Sequence, residues 1–190
     1  TCSTFDPGQH SVFQRTMHKD ADNAEAYSQL VRSMNPIVYY RMDWPRNSQN
    51  RNAVQDSSGN QCHGELHLGD DNGATPWWPG RFGSALYLRG PAVGDYAIVS
   101  DYPKAKRDEL SLSVWVNAET RSPRWSLIAA NWGMDVHGQF HFGLEAEGDL
   151  TIEITPRDNK KVLVREGRDH PLPTGEWQHV AFVVDRSAVR

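Results

Sequence analysis

Leu110-Ser111-Leu112-Ser113-Val114-Trp115-Val116 decides the fold. Leu110, Leu112, Val114 and Val116 occupy every second position, so an extended chain gathers them on one face. A helix would scatter the same residues around its axis. The period recurs further along, at Phe140, Phe142 and Leu144 and again at Leu150, Ile152 and Ile154. Glu145-Ala146-Glu147-Gly148-Asp149 between those two runs reads as a hairpin turn with exposed carboxylates. Each sheet is therefore expected to have one dry and one wet face, as in an antiparallel sandwich.

Working outward, further strands are expected over residues 37–42, 63–68, 85–88, 96–100, 126–130, 162–166 and 177–184, most of them bounded by Gly, Pro, Asn or Asp. The polar run 47–60, rich in Asn, Ser, Gln and Gly, reads as loop. Ahead of the strands, Asp22-Asn23 offers an N-cap. Ala26 and Leu30, with Tyr27, Val31 and Met34, keep helical spacing up to Pro36. The expectation is an all-β, antiparallel β-sandwich of jelly-roll type with one short N-terminal helix. Residues 1–36 form its arm and helix, and 37–190 the sandwich.

Composition narrows the function. The chain has 190 residues and a formal net charge of −4, and its short basic runs (Lys104-Ala105-Lys106-Arg107 and Lys160-Lys161) sit among acids. That pattern excludes a nucleic-acid footprint. No apolar run approaches the ~18 residues a membrane helix needs. The two cysteines, Cys2 and Cys62, allow one disulfide tethering the arm or two free thiols.

Seven tryptophans are many for this length. They serve either a sandwich core or a sugar-stacking surface, because an indole face packs on the apolar face of a sugar ring. Trp77-Trp78, between Gly and Pro, either lie exposed on a loop or cap the sandwich edge. Asn131, Trp132, Asp135 and His137 are candidates for a binding rim. Zinc is disfavoured: on a strand His63 and His67 share a face while Cys62 points away, and His137 and His141 repeat that spacing.

Five segments in order resemble the bacterial laminin G-like, concanavalin A-like domains. They are Tyr39-Tyr40-Arg41-Met42-Asp43, then Asp56-Ser57-Ser58-Gly59-Asn60 with His63-Gly64-Glu65-Leu66, and Gly80-Arg81-Phe82-Gly83-Ser84-Ala85-Leu86-Tyr87-Leu88. The fold-deciding strand 110–116 and Gly175-Glu176-Trp177-Gln178-His179-Val180-Ala181 complete the set. The helix ahead of this module also resembles the extracytoplasmic part of FecR-like anti-sigma regulators. Two departures stand out. Leu88-Arg89-Gly90 places a cation where the family has Phe-Asp-Gly, and the family's last strands do not follow the final motif.

The resemblance implies a non-catalytic, lectin-like module of a bacterial extracytoplasmic protein, binding a glycan or an envelope protein. It raises calcium as a cofactor, with Asp56, Asn60, Asp70 and Asp71 as the densest oxygen ligands, although their spacing is not that of an EF-hand and suits Asx-turns equally. Glucanases share the architecture and use Glu and Asp on one strand. Glu145, Glu147 and Asp149 sit in a turn instead, and Glu153 lacks a partner in sequence, so no enzyme is expected. The alternatives are a protein-interaction or sensory module of a FecR-like regulator and, behind it, a glycoside hydrolase. An exposed tryptophan beside polar groups in a concavity would favour sugar; a flat apolar patch would favour protein.

Overall fold

The structure is a computed structural model that describes residues 23–44, 50–70, 75–90, 92–102, 109–121, 123–131, 140–155, 162–165 and 171–184. It falls into two compact units, Thr1–Lys104 and Ala105–Arg190.

In the first unit, helix α1 covers residues 23–33. It ends where Asn35 takes the left-handed conformation, at φ 52°, ahead of Pro36. Its inward face differs from expectation. Ala24 and Ser28 are buried, Tyr27 stacks on Phe82 at 4.4 Å between centroids, and Leu30 and Met34 are exposed. Small side chains one turn apart let the helix backbone approach its support closely, which the larger Leu30 and Met34 would prevent.

Residues 37–42 do not form the expected strand. The segment makes one isolated bridge, Tyr40 to Asp56, and Met42 has a positive φ of 54°. A strand appears instead inside the run read as loop. β1 (Ala53–Val54) pairs with β2 (Gly64–His67), and β2 pairs in turn with β5 (Tyr96–Ile98). β3 (Trp77–Pro79) and β4 (Ser84–Leu86) make a separate hairpin, closed by Gly80 N–H donating to Gly83 C=O at 2.8 Å. Gly83 has a φ of 78°, a conformation that glycine adopts without steric cost. Val54, Leu66 and Trp77 form the buried core here, with Tyr40, Met42, Leu68 and Leu86 packed around them.

In the second unit the alternation holds. β6 (Leu110–Val116) pairs along seven positions with β11 (Gln178–Val184). β7 (Ser126–Ala130), β8 (Phe140–Leu144), β9 (Leu150–Ile154) and β10 (Val162–Arg165) form a four-stranded antiparallel sheet in the order β10-β9-β8-β7. Phe140, Phe142, Ile152 and Ile154 from this sheet meet Val180 and Phe182 of β11 in one core, with Leu110, Leu112, Val114 and Val116 of β6 against them. The two sheets thus pack face to face. Phe142 meets Phe182 edge-on, with centroids 5.1 Å apart.

The turn after β8 is the expected one, with Gly148 N–H donating to Glu145 C=O at 2.9 Å and Gly148 at φ 94°. Its carboxylates are not uniformly exposed, because Asp149 is only 6% accessible. The second face of this sheet is wet only in part: Gly143 and Thr151, paired across β8 and β9, are both buried, while Leu127, opposite Gly143 on β7, is exposed. Trp125 lies across Gly143 and stacks on His141 at 4.9 Å. A side chain at 143 would put its Cβ 2.4 Å from the Ser126 carbonyl and 3.0 Å from the indole nitrogen, so glycine makes room for the ring.

Candidate functional site

The adjacent tryptophans of β3 have opposite fates, because successive strand residues point to opposite faces. Trp77 is 4% accessible and donates from Nε1 to the Arg51 carbonyl at 3.2 Å, which makes it core. Trp78 is 50% accessible, and its ring rests on Tyr87 with centroids 4.9 Å apart. Trp78 and Tyr87, with Leu68, Pro76, Pro79 and Arg89, line a concavity of about 270 Å³.

One wall of that concavity is polar and fixed. Arg89 donates from Nε to Asp95 Oδ2 and from Nη2 to Asp95 Oδ1, both at 2.7 Å, in a bidentate fork. Its Nη1 bonds Asp70 Oδ1, and Nη2 also reaches the Asp70 carbonyl at 3.0 Å. Asp95, whose side chain is fully buried, accepts in addition from the backbone N–H groups of Gly69 and Arg89. The Arg89 guanidinium, against the burial that opposes it, lowers the Asp95 carboxyl to about 2. Arg89 is held in its charged form, first by its bonds to Asp95.

The candidate calcium ligands have other work. Asp56 Oδ1 accepts from Tyr39 N–H and Ser58 N–H, each at 2.9 Å, while Oδ2 accepts from the Ser58 hydroxyl at 2.8 Å and Cys62 N–H at 3.0 Å. Burial pushes its pKa up, yet those donors together hold the carboxyl below the usual range. Asn60 donates its amide to the Ile37 carbonyl at 2.8 Å. Asp70 faces Arg89. With N–H and O–H donors on Asp56 and a guanidinium on Asp70, this donor set does not fit calcium. No group of three or more His, Cys, Asp or Glu suited to a metal occurs among the described residues. Asp71, the fourth expected ligand, lies outside them.

The remaining candidates divide in the same way. Asn131 closes the β7–β8 connection, its Oδ1 accepting from Phe140 N–H at 2.9 Å. Trp132, Asp135 and His137 lie outside the described residues, as does Cys2. Cys62 has no disulfide partner among the described residues, and its thiol donates to the Asn60 carbonyl at 3.6 Å. His63 accepts from Asp56 N–H at 3.1 Å, and His67 stacks on its cross-strand neighbour Tyr96 at 4.9 Å. Tyr87 and Arg89 were missed as wall residues because their role depends on the β3–β4 hairpin, whose first strand has only three residues.

With antiparallel sheets and one short helix among the described residues, and a sandwich core in the second unit, the architecture is that of a concanavalin A-like β-sandwich. A family model described as the Concanavalin A-like lectin/glucanases superfamily matches residues 91–190, just over half of the chain, and the chain belongs to that superfamily. The match takes in the motifs at 110–116 and 175–181 and begins after the three earlier ones. No curated protein and no solved structure matches the chain. No helix among the described residues is long and apolar enough to cross a membrane.

Proposed function

We propose that the chain is a non-catalytic carbohydrate-binding module of an extracytoplasmic protein, with its ligand seated on the Trp78–Tyr87 face. The observation that carries this reading is the half-exposed Trp78 indole, propped on Tyr87 beside a fixed polar wall. A rigid apolar ring next to hydrogen-bonding groups is what a sugar ring needs for stacking and orientation. The superfamily holds both lectins and glucanases.

The test is calorimetric titration with oligosaccharides that score on a glycan panel, run with calcium and with a chelator. Trp78→Ala is expected to weaken binding about tenfold or more, the scale of a lost aromatic contact. Trp77→Ala is expected to cost about 4 kcal/mol of stability through the cavity it leaves. Binding should be indifferent to calcium; strict calcium dependence would return the oxygen ligands to the site. If the folded protein binds no glycan, the apolar lining from Leu68, Pro76 and Pro79 favours the second reading, a protein-interaction module.

A further inference from the structure

We infer that the Trp78–Tyr87 site selects uncharged over anionic sugars, and that Asp70 sets this preference. The inference rests on the carbohydrate reading above and adds the ligand's charge class. An arginine beside an aromatic platform ordinarily invites a carboxylate or sulfate, because the guanidinium offers two bidentate edges. Arg89 has neither to offer. Its Nε–Nη2 edge is closed by the fully buried carboxylate of Asp95, and its Nη1–Nη2 edge by the side chain and main-chain oxygen of Asp70. Four of its five N–H groups are therefore engaged.

The charge balance points the same way. Arg89 is the one charged side chain lining the concavity among the described residues, and two carboxylates are bound to it. One cation against two anions leaves a net negative charge of one at the wall. Asp95 is buried, so the field reaching a ligand comes chiefly from Asp70, whose side chain is 59% accessible. A sugar carboxylate or sulfate entering here meets a like charge and finds no free fork. A neutral sugar stacks on Trp78 and meets no such repulsion.

Matched probes test this: a β-linked glucose disaccharide against its glucuronic acid counterpart, and a galactose-terminated oligosaccharide against its sulfated form. Kd is measured for each pair at low and at physiological salt. The neutral member is expected to bind about tenfold tighter, the scale of one like-charge contact near a protein surface, and salt should narrow the gap. Asp70→Ala should shrink the neutral-to-anionic ratio about tenfold, since it removes the anion and frees Nη1. Because Asp70 is exposed, this variant is expected to fold, which circular dichroism checks. A wild-type protein that binds the anionic member as well as the neutral one, or a ratio unmoved by Asp70→Ala, overturns the charge inference while sugar binding stands. Silence from both members of every pair overturns the carbohydrate reading and this inference with it.

Discussion

Among the described residues, Ala105–Arg190 is built from strands of four to seven residues, with alternate side chains of β6, β8, β9 and β11 meeting in one core, whereas Thr1–Lys104 is built from strands of two to four residues. The first-unit core cluster has, among the described residues, Val54, Leu66 and Trp77 as its buried members against six in the second. What the first unit has in place of length is a pair of aspartates, Asp56 and Asp95, each gathering four donors from separated stretches of chain. One unit is organised by burial of apolar surface, the other by carboxylates that pin irregular loops. Such a loop-rich unit can shape a concavity; a regular sandwich presents smoother faces.

The contrast breaks first at the sandwich core. Phe182→Ala should cost about 4 kcal/mol by cavity formation, read as lost protection of β8, β9 and β11 amides in hydrogen exchange. In the other unit, Asp95→Ala should destabilise by less than that, because it removes the shared acceptor of the Arg89 guanidinium and of the Gly69 and Arg89 N–H groups while Asp70 still faces Arg89. Equal indifference of both units to these changes would remove the distinction. Gly143→Ala should cost about 2 kcal/mol, since its Cβ meets the Ser126 carbonyl and displaces the Trp125 ring; denaturant unfolding measures it.

The pH response sharpens the same contrast. The folded-state value of Asp95 is depressed, so its contribution is present above the ordinary carboxylate range and is lost as pH falls from about 4 through about 2. Asp56, also depressed, acts in the same sense. Acid should loosen residues 50–98 ahead of the apolar sandwich, and residue-resolved exchange at stepped pH values would reveal the order.

These two kinds of construction also explain what could be read in advance. The sandwich strands were legible because a period of two over five to seven residues is a strong signal, and burial follows it directly: Phe140, Phe142, Ile152 and Ile154 all face inward. β1 and β3 were not legible, since Ala53–Val54 lay in a polar run and Trp77–Pro79 beside prolines that read as loop. The helix was placed well but turned wrongly, because hydrophobic spacing favoured Leu30 and Met34 while close packing favoured Ala24 and Ser28. At the site, the pairing Trp77-Trp78 was visible and its division into core and surface was not. Asp56 and Asp70 looked like cation ligands because sequence shows oxygen atoms without the donors that occupy them.

The Asp56 knot restricts chemical identity at that position. Its four partners all donate, so the position demands four acceptor directions and no donor. Asparagine matches the shape atom for atom, yet its amide nitrogen would confront either the Cys62 N–H or the pair from Tyr39 and Ser58. Glutamate supplies the lone pairs but carries one methylene too many for the same reach. An isosteric replacement is thus electronically wrong and an isoelectronic one sterically wrong, which leaves aspartate as the side chain that satisfies both conditions.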